Sequence, residues 1–307
     1  MSFLDICLPF PQKTVLLEMK YWLLPVAFSR KGLYNQEKQQ KETSIMESMF
    51  LWENTPGLCK EIPTLEYYPA KEKKTDATVV ICPGGAYAMR AAHEGKGYAE
   101  FLNTLGMDAF VCQYRVSPHR FPLPLLDIRR AIRLVRAKAE EFGIDPNKIA
   151  VMGSSAGGHL AALASTYKAP IAFEDMDEID TQCCMPNAQI LCYPVIHCPD
   201  ELQIAHVGSF ENLLGAGKEE DYPAFSCDDL VSEDTPQAFL WHTAADAVVN
   251  VKNSYLYAAA LRNHNVSCEM HIFPHGRHGL GLATAEAPHV AQWSHLLENW
   301  LTYIDWL

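Results

Sequence analysis

From about Leu51 onward, short apolar runs alternate with longer segments of helical period. The runs at 77–83 (ATVVICP), 108–116 (DAFVCQYRV), 148–153 (KIAVMG), 188–195 (AQILCYPV), 237–243 (QAFLWHT) and 266–273 (VSCEMHIF) are short and rich in β-branched or aromatic residues. Strands that bury both faces read this way, because neither face meets water. Between most of them the pattern turns helical. In PLLDIRRAIRLVRAKAEEFG, residues 124–143, Leu125, Ile128, Ile132 and Val135 recur on one face, and Gly143 ends the run. The alternation predicts an α/β fold with a mostly parallel central sheet and helices on both faces.

Two stretches depart from this pattern. In residues 1–32, apolar pieces are interrupted by Asp5, Lys13, Glu18, Lys20 and three prolines. This is neither a clean signal peptide nor a span of about 18 uninterrupted apolar residues. Residues 31–47, rich in Lys, Gln and Glu, read as a solvated linker or exposed helix. The expected organisation is thus an atypical extension at 1–46 and one large domain at 47–307. The second departure is 196–236, polar and acidic, with only short helical hints such as FENLLGAG. It reads as a small cap-like insertion over the C-terminal edge of the sheet, where open α/β sheets bind ligands.

Composition narrows the function classes. At 307 residues and 49% hydrophobic, the chain can bury a substantial core. A net charge of -12 with no long basic run repels phosphate backbones and anionic membrane surfaces, so neither nucleic acid nor membrane is an expected partner. The ten cysteines contain no C-x-x-C pair and no regular spacing, which predicts neither a metal site nor a disulfide framework. Several, such as Cys82 and Cys112, sit inside apolar runs as buried reduced thiols would, favouring a reducing, cytoplasmic setting.

The candidate chemistry lies at the ends of the strand runs. Gly153-Ser154-Ser155-Ala156-Gly157 matches G-x-S-x-G, preceded by a strand and followed by an alanine-rich helix. A sharp strand-to-helix turn exposes the central hydroxyl, and flanking glycines relieve crowding. Ser155 is therefore the expected nucleophile and Ser154 a spacer. The Ala156 N–H, at the helix N-terminus, is an expected oxyanion donor. After the first confident strand, CPGGAYAMRAAHEG supplies a Gly-Gly loop whose main chain can approach a substrate carbonyl, with Gly85 and Ala86 as candidate donors. Neither G-x-G-x-x-G nor G-x-x-x-x-G-K-[ST] occurs there, which argues against a phosphate cradle.

Asp246 follows the strand run at 237–243, and His278 follows the one at 266–273. Ser155, Asp246 and His278 stand in the chain order of a Ser-Asp-His relay, with His278 as base and Asp246 fixing its tautomer. His275 is the rival base, disfavoured because His278 stands later in the same loop, itself followed by a glycine. His242 reads as packing within a strand, His159 as a buried hydrogen-bonded support, and His93 and Glu94 as structural residues behind the Gly-Gly loop, with substrate contact as the alternative.

With these residues in place, the chain resembles the α/β-hydrolase superfamily. It is more closely similar to bacterial acetyl xylan esterases and sugar-ester hydrolases, in the esterase and lipase branch related to prolyl oligopeptidase. The resemblance covers about Ala77 to the C-terminus and rests on VICPGGAY, HEGKGYAEFLNTLG, GIDPNKIAVMGSSAGGHLA, FLWHTAADAVVNVKNSYLYAAAL and HIFPHGRHGLGLA. It implies a serine acyl-enzyme mechanism without metal or cofactor, acting on small acyl esters, often acetyl groups on sugars. The family's nucleophile, acid and base fall on Ser155, Asp246 and His278, and its oxyanion loop on Gly84 to Ala86. Two departures are visible: Ala245 stands where members often have a second acid, and Asn250 where they often have proline. A serine peptidase or amidase of the same fold, and a binding protein that lost catalysis, are the competing readings. A homo-oligomer is compatible with the sequence, which specifies no interface.

Overall fold

The structure, a computed structural model, describes residues 47–57, 61–199, 202–284 and 286–307. The chain divides into two units, Met1–Thr43 and Ser44–Leu307, and the described fold belongs to the second. The expected N-terminal extension at 1–46 and its linker lie outside the described residues.

Among the described residues, eight strands form one sheet: β1 (Glu47–Phe50), β2 (Thr64–Tyr68), β3 (Thr78–Cys82), β4 (Asp108–Gln113), β5 (Ile149–Ser154), β6 (Ala188–Cys192), β7 (Gln237–Thr243) and β8 (Cys268–Phe273). Their order is β1-β2-β4-β3-β5-β6-β7-β8. The pairs β1/β2 and β2/β4 are antiparallel, and every other neighbouring pair is parallel. The helices are α1 (Ala92–Thr104), α2 (Leu123–Ala137), α3 (Ala139–Phe142), α4 (Ser155–Thr166), α5 (Val207–Leu214), α6 (Lys252–Asn263) and α7 (Trp293–Tyr303). None is long and apolar enough to cross a membrane.

The continuous apolar runs are explained by two cores, one on each face. Val80, Cys82, Ile149, Val151 and Leu240 join Ile128, Ile132, Leu160 and Leu261 of α2, α4 and α6 in one cluster. Val79, Ile81, Ala150, Met152 and Phe239 join Tyr98 and Leu102 of α1 and Trp293 and Leu297 of α7 in the other. Successive residues of each central strand alternate between the two. Each fully buried aliphatic or Phe side chain contributes about 1.5–3 kcal/mol, so both faces must be filled.

Some boundaries differ from the sequence expectation, each for a local reason. The helical run at 124–143 breaks at Lys138 (φ -101°, ψ 18°) into α2 and α3, and Gly143 closes it in the left-handed region (φ 64°). β6 stops at Cys192 because Tyr193 adopts φ 37°. The antiparallel strands β1 and β2 are unexpected: both are short, and β1 is largely exposed, so neither carries a buried run.

β4 stops at Gln113, short of the expected Val116, beside a buried ion pair. Arg115 donates from Nε to Asp127 Oδ2 (2.8 Å) and from Nη2 to Oδ1 (2.7 Å), and its main-chain N–H reaches Oδ2 at 2.9 Å. Trp52 Nε1 adds a fourth bond to Oδ1 (3.0 Å). Both side chains are fully buried, so the pair holds the end of β4, helix α2 and the segment after β1 together. Breaking one side of such a pair leaves an uncompensated charge. Arg115→Leu is expected to lower the urea-unfolding free energy by about 3–5 kcal/mol, with Arg115→Leu/Asp127→Leu recovering much of the loss. A loss under about 1 kcal/mol in the single variant would contradict this account.

Candidate active site

The sheet reverses its winding at β3. After β3 the chain adds β4 on one side, then crosses back to place β5 on the other. Such a switch point opens a crevice at the C-terminal ends of the two strands. Register brings Cys82 beside Gly153, so the Gly-Gly loop and the G-x-S-x-G turn leave the sheet side by side.

That turn has no intervening loop: β5 ends at Ser154 and α4 begins at Ser155. The reversal is taken up by Ser155 itself, at φ 52°, a conformation that costs a non-glycine residue about 1–3 kcal/mol. Close approach explains the glycines. A Cβ on Gly153 would lie 2.0 Å from the Gly157 carbonyl oxygen, and one on Gly157 would lie 2.2 Å from that of Cys82.

The structure brings the three sequence-predicted relay residues together. His278 Nε2 lies 2.8 Å from Ser155 Oγ, and His278 Nδ1 lies 2.6 Å from Asp246 Oδ2. Nδ1–H donates to the carboxylate, which leaves Nε2 free to accept the serine proton. Asp246 is held on every side. Its Oδ1 accepts the N–H groups of Val248 (2.8 Å) and Val249 (2.9 Å), and its Oδ2 also faces His242 Nε2 at 3.4 Å. Burial alone raises the pKa of this carboxyl, but hydrogen bonds from His242 and His278 and the field of His278 outweigh it, holding the group well below the usual carboxylate range. His275 is exposed, and the bonds to Ser155 and Asp246 are made by His278.

The Gly-Gly loop is fixed through its carbonyl groups and the Gly84 N–H. Gly84 N–H donates to Glu94 Oε2 (2.8 Å), Gly85 C=O accepts from Ala88 N–H (2.9 Å), and Ala86 C=O accepts from Asn212 Nδ2 (2.9 Å). Tyr87 C=O accepts from Ser117 N–H (2.7 Å). The N–H groups of Gly85 and Ala86 bond to no main-chain carbonyl or side chain among the described residues. Ala156 N–H, in the first turn of α4, has no intrahelical acceptor. The three expected oxyanion donors are thus unspent, whereas Gly84 N–H is not.

The supporting histidines lie where the sequence suggests, with one addition. His242 is buried, donating from Nε2 to Val249 C=O (3.0 Å) and accepting from Ser254 Oγ at Nδ1 (2.8 Å). His159 bridges Tyr87 Oη (2.8 Å) and the Phe225 carbonyl (2.9 Å). His93 Nε2 bonds to Gly279 C=O (3.0 Å), fastening the His278 loop. Ser154 is more than a spacer, since its buried Oγ pairs with Tyr98 Oη at 2.9 Å. Two participants had no sequence signal of their own. Tyr193, at the end of β6, lies edge-on to the His278 ring (5.1 Å between centroids). Asn212, within FENLLGAG, reaches the Gly-Gly loop from the insertion.

The insertion carries α5 and a 3₁₀ turn at Glu219–Phe225. Phe121 N–H donates to Leu213 C=O (2.8 Å), and half-buried His206 has its pKa lowered, chiefly by burial. From this segment Asn212 Nδ2 donates to the Ala86 carbonyl at 2.9 Å.

The BD-FAE family profile matches residues 66–261. Endo-1,4-beta-xylanase B of Butyrivibrio fibrisolvens is 36% identical over 260 residues, 81% of this chain and 39% of that protein. Acetylxylan esterase of Xylanibacter ruminicola is 34% identical over 239 residues, 76% of this chain and 47% of that protein. The chain spans less than half the length of these two relatives. Among solved structures, an acetyl ester-xyloside bifunctional hydrolase from Caldicellulosiruptor lactoaceticus superposes with a TM-score of 0.79 at 42% identity, covering 85% of this chain and 97% of that chain. A propionate-bound esterase from Thermogutta terrifontis gives a TM-score of 0.70 at 26% identity, covering 85% of this chain and 95% of that one.

Burial of His159 has a measurable consequence. Desolvation pushes its pKa from 6.5 down to about 4, so the folded protein holds it neutral while the unfolded chain protonates it. Stability from this group is complete above pH 6.5 and is lost as pH falls from 6.5 towards 4, on the order of 3 kcal/mol in all. Urea unfolding at pH 7, 5.5 and 4.5 should show this slope in the parent and a shallower one in His159→Gln. Parallel pH slopes for the two proteins would refute it.

Proposed function

Because the chain belongs to the BD-FAE family and carries the α/β-hydrolase fold of esterases, we propose that it is a serine carboxylic ester hydrolase releasing short acyl groups, acetyl above all, from carbohydrate alcohols. One observation carries this reading: His278 stands between Ser155 Oγ and Asp246 at 2.8 and 2.6 Å. In the proposed reaction, Ser155 Oγ attacks the ester carbonyl as His278 Nε2 takes its proton. The N–H groups of Gly85, Ala86 and Ala156 hold the oxyanion. Collapse breaks the ester C–O bond, and His278 returns the proton to the departing sugar hydroxyl. Water then repeats the sequence on the acyl-serine, releasing the acid and restoring Ser155. Asp246, saturated with donors, keeps His278 in the tautomer that accepts at Nε2 and stabilises the imidazolium.

The substrate class draws on the relatives, two of which are named for acetyl ester chemistry on xylan or xylosides. A short acyl chain accords with the propionate bound in the Thermogutta enzyme. The charge of -12 suits neutral sugars better than polyanions. Cys82, Cys112, Cys192 and Cys227 are buried reduced thiols, which supports a reducing, cytoplasmic setting.

Ser155→Ala is expected to cut kcat on p-nitrophenyl acetate by about 10⁴-fold or more, and Asp246→Asn by roughly 10³–10⁴. Both variants should keep the parent's far-UV circular dichroism. Acetylated xylo-oligosaccharides should be deacetylated faster than feruloylated ones release ferulate. Folded parent protein inert on both the p-nitrophenyl ester and the acetylated sugars would sink the proposal.

A further inference from the structure

Beneath the site lies a buried carboxylate that the proposed reaction does not use. Glu94, in the first turn of α1, is 3% exposed. Its Oε2 accepts Gly84 N–H at 2.8 Å and its Oε1 accepts Tyr193 O–H at 2.6 Å. Among the described residues no Lys or Arg bonds to it. The nearest basic atom, His93 Nε2, is 3.8 Å away and spends its bond on Gly279 C=O. Burying a carboxylate without a bonded cation is costly, and an apolar residue would fill the space more cheaply.

Proton counting shows what the cost secures. Tyr193 has one hydroxyl proton, which goes to Glu94, since a carboxylate can only accept. Tyr193 Oη must therefore accept from both of its other neighbours, Gly281 N–H (3.0 Å) and Tyr98 O–H (3.1 Å). Tyr98 has then spent its own proton, so Ser154 O–H must donate to Tyr98 Oη across their 2.9 Å contact. Every donor in the chain points the same way, Ser154 to Tyr98 to Tyr193 to Glu94, and a chain polarised in one direction strengthens each of its bonds. Its ends are the residue before Ser155, the glycine before the proposed oxyanion donors, and the third residue after His278.

We infer that Glu94 is a positioning residue, the common acceptor that holds the Ser155 turn, the Gly84–Ala86 loop and the His278 loop in mutual register. This inference rests on the esterase reading for its effect on rate, though not for its effect on the loops. The carboxylate aims Gly84 N–H away from the reaction centre, which orients the next two peptide groups towards it. Through Tyr193 and Gly281 it also restrains the loop that carries His278. An amide at position 94 can still accept from Gly84 and can donate to Tyr193 if the chain reverses, whereas a methyl group can do neither.

The test uses full-length Glu94→Ala, Glu94→Gln and Tyr193→Phe. Active sites are counted by the p-nitrophenol burst from diethyl p-nitrophenyl phosphate, so that misfolded protein does not enter kcat. Glu94→Ala should lower kcat per titrated site on p-nitrophenyl acetate about 10- to 100-fold with KM changed less than about threefold, as expected when a transition-state contact is misplaced. Glu94→Gln should recover to within about fivefold of the parent. Tyr193→Phe should lose about tenfold, and its effect should be less than multiplicative with Glu94→Ala because both act through one chain. Hydrogen-exchange mass spectrometry supplies the readout that needs no turnover. Peptides over 84–91 and over 278–283 should lose protection together in Glu94→Ala.

Unchanged kcat per titrated site, a loss confined to KM or to the fraction of titratable sites, or exchange altered in only one of the two loops would each overturn the role of Glu94. A parent protein that hydrolyses no ester would overturn the esterase reading instead, and exchange in the two loops would still decide the positioning role.

Discussion

Ser155 is forced to do two things at once: end a strand and begin a helix. Its backbone takes the left-handed conformation, and the neighbouring chain closes around it so tightly that Gly153 and Gly157 leave no space for a Cβ. A strained residue persists only where its surroundings over-determine it. Here β5 is paired on both sides, and the Ser155 carbonyl accepts Val195 N–H at 3.0 Å from the segment after β6. The rest of the site is arranged around that fixed point. Because β3 is the direct neighbour of β5, the loop after β3 arrives in contact with it. A Cβ built on Gly84 would stand 3.2 Å from the Ser155 Cβ. Sheet order, more than any local motif, is what makes these two loops one site.

The proposed acid and base come from farther along the same edge, from the loops after β7 and β8. Long loops fluctuate, and a geometry of 2.6 and 2.8 Å requires that they be tied down. Each is tied by a different kind of contact. The Asp246 loop is closed on itself, with two main-chain donors on Oδ1 and the buried His242 beside Oδ2. The His278 loop is held from outside, by His93 on Gly279, by Tyr193 on Gly281 and by the edge-on contact of the Tyr193 ring. The His93 and Tyr193 anchors trace back to the first turn of α1 and the end of β6, the elements that also fix the Gly84–Ala86 loop. Thr243 Oγ1 on Gly276 C=O (3.0 Å) and Trp293 Nε1 on Gly281 C=O (3.1 Å) hold the same His278 loop from β7 and α7.

This division of labour explains what could be read from the sequence. The buried strands β3 to β7 announce themselves because a sheet covered on both faces needs unbroken apolar runs, whereas β8 at the edge is only partly buried. Ser155, Asp246 and His278 announce themselves because each follows a strand run. Glycines at 153 and 157 are legible because close backbone approach admits nothing else. The antiparallel edge is not legible, since four- and five-residue strands with exposed or mixed faces leave no periodic signal. Nor is the polar network under the site. Tyr98 and Tyr193 sit in helical and strand patterns as ordinary aromatics would, and only their hydroxyl partners reveal them. Glu94 is visible as an acid in the first turn of a helix, where a favourable helix dipole is sufficient reason for it. Its burial, and hence its cost, exists only in the folded chain.

The segment at 196–236 has its own place in this scheme. Asn212 of α5 holds the Ala86 carbonyl, and the Phe225 carbonyl holds His159, which in turn holds Tyr87. Glu94 restrains the Gly-Gly loop from beneath at Gly84, and the insertion restrains it from above at Ala86 and Tyr87. Peptide groups gripped on both sides of Gly85 have little freedom left, so the two unspent N–H groups are set before any substrate arrives. Preorganisation of this kind moves the cost of orienting dipoles from the reaction to folding. The buried carboxylate, the left-handed serine and the neutral buried His159 are three places where that cost has been met.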